Sequence, residues 1–187
     1  MRTSEMTMSL FTFIRPLQVL RYAGLALVFA AASACPTAGF TPLPIVQGSA
    51  ANQYVGHGRH LEVLFTHEGQ AGEVDVFPEP PLVIKQRKDG KQCKIEEGGI
   101  WVRKSVFLDA GEQHLLAHEY SGSNDSLVIY RTSDCKTIKT IDVSGLRWQV
   151  EGTQLVTGKA CSADSLASCK TKRKVPLITV SKSTSPQ

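Results

Sequence analysis

From residue 57 to residue 181, no stretch of this chain keeps a 3.6-residue apolar period for three helical turns. Long helices are thereby excluded, and what remains is a succession of short β-branched and aromatic runs. Leu61–Phe65 and Val74–Phe77 come first. Leu82–Lys85 then leads through Asp89-Gly90, a hairpin turn signal, into Cys93–Ile95. Ile100–Leu108, Gln113–Tyr120, Leu127–Thr132 and Thr137–Val143 follow, separated by Asp109–Gly111, Ser121–Ser126 and Ser133–Lys136. Arg147–Val150, Gln154–Thr157 and Val175–Val180 complete the series. The expected fold class is all-β.

Three hairpin endings carry a Cys-Lys pair, at Cys93, Cys135 and Cys169, spaced 42 and then 34 residues apart. That period, with about four short strands per unit, fits propeller-type blades. The middle unit is the clearest. Ser105–His118 reads as the opening strand–turn–strand of a blade, and Leu127–Asp142 as its closing hairpin. Three units fall short of the roughly four blades in the smallest usual ring. An incomplete, propeller-like array of small antiparallel sheets is therefore expected, with a twisted β-sandwich as the alternative.

The N-terminus carries an export signal. Arg2, Arg15 and Arg21 precede Ala23–Ala34, an uncharged apolar run too short for the roughly 20 residues of a bilayer span. A basic start, a short apolar stretch and a small-residue ending make residues 1–34 a signal peptide. Residues 35–56, with Pro36, Pro42 and Pro44, read as a tether, residues 57–181 as a single β domain, and residues 182–187 as a disordered tail. Ala32-Ser33-Ala34-Cys35 resembles the lipobox of bacterial lipoproteins, with Ala32 where leucine is usual. The resemblance implies lipidation of Cys35 and a periplasmic domain, anchored to the outer membrane through that lipid.

Cysteine parity agrees. Of five cysteines, a lipidated Cys35 leaves Cys93, Cys135, Cys161 and Cys169, an even set in an oxidising compartment. Cys161 and Cys169 can face each other across a local loop, leaving Cys93 and Cys135 to pair between units, although four cysteines permit three connectivities. The formal charge of +4 falls when the signal is removed, and Lys170, Lys172, Arg173 and Lys174 form the one basic cluster. It has no interleaved aromatics, so nucleic acid is not an expected partner.

No catalytic constellation is visible. There is no Gly-x-Ser-x-Gly elbow, no phosphate-cradling glycine loop and no His-Glu-x-x-His pair. His114 and His118 have a spacing that shares one face of a helix, but on a strand residues four apart stand about 13 Å from each other. His57 and His60 flank Gly58 in a turn-like stretch. No metal, cofactor or enzymatic activity is expected.

The best interaction candidate is the polar segment Ser121, Gly122, Ser123, Asn124, Asp125 and Ser126, between two apolar strands and longer than a two-residue hairpin requires. With this loop, a small exported disulfide-bonded β protein of propeller-like sheets is similar to the immunity proteins paired with type VI secretion peptidoglycan amidases. That resemblance implies a non-enzymatic inhibitor whose partner is a periplasmic amidase. It also implies that a serine-bearing loop enters the amidase active site, with Ser123 as the matching residue. The competing expectation is a structural envelope lipoprotein that joins a larger assembly through exposed strand edges.

Overall fold

Leu115-Leu116-Ala117 and Leu127-Val128-Ile129-Tyr130 are continuous apolar runs where a half-exposed strand would alternate. The computed structural model of the chain, which describes residues 39–69 and 74–178, shows why. Both runs lie in a middle sheet buried on both faces. The signal segment, Cys35 and the C-terminal tail lie outside the described residues.

Three antiparallel sheets make up the fold. The first is built from β2 (Ile45–Gln47), β3 (Gln53–His57), β4 (Leu61–Thr66), β6 (Glu79–Gln86) and β7 (Gln92–Ile95), in that order. The middle sheet runs β1 (Phe40–Pro42), β8 (Ile100–Asp109), β9 (His114–Ser121), β10 (Asn124–Arg131) and β11 (Thr137–Asp142), with the short β5 (Val76–Phe77) also paired to β8. The third comprises β12 (Arg147–Glu151), β13 (Gln154–Cys161) and β14 (Cys169–Pro176). No sheet closes on itself, so the architecture is an incomplete propeller-like array. Three layers also set it apart from a two-sheet sandwich. Each Cys-Lys pair stands in the last strand of its sheet or in the turn just before it.

Alternation along the middle strands divides the core. Leu115, Ala117, Val128 and Tyr130 join Leu61, Val63, Phe65, Leu82 and Ile84 against the first sheet. Leu116, Leu127 and Ile129 point the other way, onto Leu155 and Leu177, with Trp148, Val150 and Val175 packed alongside. Each such aliphatic side chain, wholly removed from water, contributes roughly 1.5–3 kcal/mol. Phe65 stacks on Phe77 at 4.6 Å and meets Trp101 edge-on at 6.1 Å, all three buried in the first interface.

One disulfide and two side chains, Glu112 and Arg103, link the first sheet to the middle one, and a second disulfide lies within the third sheet. The Cys93–Cys135 disulfide ties β7 of the first sheet to the β10–β11 turn of the middle one, and Cys161–Cys169 joins facing residues of β13 and β14. Buried Glu112, at φ 54°, accepts the backbone N–H groups of Arg59 (2.6 Å) and His60 (2.8 Å) in the β3–β4 turn. Arg103 occupies a bulge where β8 and β9 lose register between Trp101 and Val106. Its guanidinium reaches the carbonyls of Ile45 (2.9 Å) and Val74 (3.1 Å) and lies 5.6 Å from the Tyr54 ring centre.

The tether expected over residues 35–56 is folded from Phe40 onward, into β1, β2 and most of β3. The prolines permit this because Pro42 lies in an edge strand, where a missing N–H breaks no ladder. Phe40 also bridges to Gly152, its N–H donating to the Gly152 carbonyl at 2.9 Å, so the first strand touches two sheets.

Candidate partner-binding hairpin

The polar segment proposed from sequence is the far end of the β9–β10 hairpin. Pairing continues to Ser121 opposite Asn124, so only Gly122 and Ser123 form the turn. The expected longer loop is thus a two-residue connection, and Asn124, Asp125 and Ser126 belong to β10. Gly122 has φ +60°, as the first turn residue of a tight hairpin requires, and a Cβ there would meet nothing within 4 Å. Ser121, Gly122, Ser123 and Asn124 are all exposed, whereas Asp125 and Ser126 are half-buried. The tip is narrow, polar and unpacked.

Below the tip the stem is held on both faces. On one, Glu119 accepts the Tyr130 hydroxyl at 3.1 Å and lies 3.4 Å from the Gly99 N–H. Gly99 runs so close to β9 that a Cβ there would fall 2.4 Å from the Tyr120 carbonyl oxygen. Burial, followed by the Glu119 charge and hydrogen bond, raises the Tyr130 phenol above its ordinary value near 10, keeping it a donor. On the other face, Asp125 Oδ1 lies 2.9 Å from His118 Nε2, and the His118 ring meets Trp148 edge-on at 5.1 Å.

The β11–β12 turn completes the support. The Asp125 N–H donates to Ser144 Oγ at 3.0 Å, and the Asp125 carbonyl accepts the Val143 N–H at 2.9 Å. Asp142 accepts the Ser144 N–H at 2.9 Å, and its hydrogen bonds from Ser144 hold its carboxyl below the ordinary value. Sequence reading missed this set. His118 drew attention only as half of a metal-like pair, whereas Ser144 and Trp148 carried no signal beyond a turn and a strand.

The histidines have separate partners. His114 Nδ1 lies 2.9 Å from Asp109 Oδ2 at the other end of β9, far along the strand from the His118–Asp125 contact. His57 lies 3.4 Å from Glu62, and the N–H of His60 is taken by Glu112. Among the described residues no three His, Cys, Asp or Glu side chains gather where a metal could be held. The four domain cysteines are consumed in disulfides, as suits an oxidising compartment. This arrangement can offer hydroxyls and backbone amides on a stiff projection. It does not present an activated nucleophile.

Comparison with known proteins decides the family. The family described as "Immune protein Tsi1" matches residues 38–180, the whole of the described domain. This chain belongs to the Tsi1 immune-protein family. Over 132 residues it is 42% identical to the immune protein Tsi1 of Pseudomonas aeruginosa, covering 70% of this chain and 77% of that protein. As a Tsi1-family member the chain is an immune protein that works by binding a protein partner, and it is not an enzyme. The all-β, disulfide-linked array described above is thus the scaffold of an inhibitor, and the β9–β10 tip is one of its exposed, open turns.

Proposed function

We propose that this chain is a periplasmic immunity protein that inhibits a peptidoglycan amidase delivered by a type VI secretion system. Its β9–β10 tip enters the amidase cleft, and Ser123 is the residue placed foremost. Membership of an immune-protein family supports the inhibitory role. The observation that carries the hairpin assignment is the shape of the tip, two small turn residues standing clear of a stem anchored on both faces. A serine hydroxyl both donates and accepts, so it can satisfy a catalytic histidine and the nucleophile beside it without adding bulk. A hydrogen bond to a charged catalytic group contributes about 1.5–3 kcal/mol. Because the tip is already formed, little ordering entropy is lost on binding. Cys35, the cysteine left outside the two disulfides, carries a lipid that holds the domain at the outer membrane.

The test is inhibition of the cognate amidase acting on purified peptidoglycan sacculi. Gly122→Arg places a long cation at the tip on a backbone that favours glycine, and is expected to abolish inhibition while the melting temperature changes by only a few degrees. Full inhibition by Gly122→Arg would remove the hairpin from the mechanism.

A further inference from the structure

The hairpin tip is exposed, with open space around Gly122, yet the residue two positions past the turn is tied to three separate groups. Asp125 gives its carboxylate to His118 at 2.9 Å, its N–H to Ser144 Oγ at 3.0 Å and its carbonyl to the Val143 N–H at 2.9 Å. His118 pairs with Leu127, so Asp125 and His118 are diagonal neighbours on one face of the ladder. That face looks toward the third sheet, where Trp148 of β12 stands edge-on to His118. Asp125 therefore links the hairpin to the β11–β12 turn directly and to the third sheet through His118. Above it, Ser121 and Asn124 are exposed and pair with each other. β9 stays paired to β8 as far as Tyr120, and β10 to β11 as far as Ser126, so only residues 121–125 stand beyond the flanking strands and depend on contacts at the base of the tip for their direction.

We propose that Asp125 is a positioning residue: anchored to His118 and the β11–β12 turn, it sets the direction in which Gly122 and Ser123 are presented to the partner. The proposal rests on the reading of the hairpin as the inhibitory element. A single histidine–carboxylate contact would by itself contribute little, since its Asp125 side chain is 42% exposed. Its effect lies in geometry, because a displacement of about 1 Å at a site that must meet catalytic groups can cost a hundredfold.

Two measurements test it. In the free protein, Asp125→Ala is expected to speed amide hydrogen exchange at Val143 and at position 125 about tenfold, with the melting temperature nearly unchanged. Unchanged exchange would overturn the proposal whatever the partner does. In the sacculus assay, Asp125→Ala is expected to raise the concentration for half-inhibition about tenfold or more. Asp125→Asn, which keeps an oxygen facing His118, should retain inhibition within about threefold. If Asp125 acts through the tip, its loss adds little once Ser123→Ala has already weakened the tip contact. Full additivity of the two losses would make Asp125 an independent contact and refute positioning. Normal inhibition by Asp125→Ala, alongside failure of Gly122→Arg, would refute it too while leaving the hairpin reading in place.

Discussion

Removing Cys93–Cys135 by changing both residues to alanine should destabilise the domain more than removing Cys161–Cys169 in the same way. The bridged residues are 42 apart in the first case and 8 in the second. Loop-closure entropy makes the long link contribute ~4 kcal/mol and the short one ~2.5 kcal/mol. For a domain of this size each kcal/mol moves the melting temperature by about 2–4 °C. The expected losses are therefore about 8–16 °C and about 5–10 °C, with the long bond costing about one and a half times the short one. Topology points the same way. Cys93–Cys135 joins two different sheets, whereas Cys161–Cys169 staples strands that already pair through β13 and β14. The assay is thermal unfolding followed by far-ultraviolet circular dichroism, each variant keeping its other disulfide intact. An equal or larger loss for the Cys161/Cys169 variant would refute the loop-closure reasoning.

Two further outcomes follow from charge and chemistry. Tyr130 has a raised phenol value, so its neutral form is favoured by folding. Its contribution is full below pH about 10 and is lost as pH rises through the raised folded value. Chemical denaturation across that range should show stability falling, with Tyr130→Phe flattening the fall; an unchanged slope would contradict the assignment. For Cys35, mass spectrometry of the mature N-terminus should find a lipidated cysteine, and an unmodified thiol there would defeat the anchor while leaving export intact.

The β character and the middle hairpin were legible in the sequence because short apolar runs and turn chemistry are local, and the three-unit division because a Cys-Lys pair recurs near the end of each unit. The prolines and small residues of 35–56 read as a tether, whereas the chain is strand from Phe40. Pro42 is tolerated at the sheet edge, and the Leu43 N–H still donates to the Val106 carbonyl at 2.8 Å. The tip was overestimated in length for a related reason. Asn124, Asp125 and Ser126 are polar because the end of the hairpin rises beyond the core, and polarity does not prevent strand pairing there. The Gly122-Ser123 pair was itself a two-residue turn signal. What the sequence could not reveal is the company the stem keeps. His118, Trp148 and Ser144 are brought together by the packing of the third sheet onto the middle one, a non-local event.

The emptiness around the tip separates two properties that are entangled in most proteins. Side chains at Ser121 and Ser123 take no part in either core, so replacing them leaves folding almost untouched while changing the surface the tip presents. A gene of this kind can drift in partner choice one residue at a time without passing through unstable intermediates. Under the proposed reading of the hairpin, substitutions at Ser121 and Ser123 would alter recognition while the stem beneath them keeps its shape.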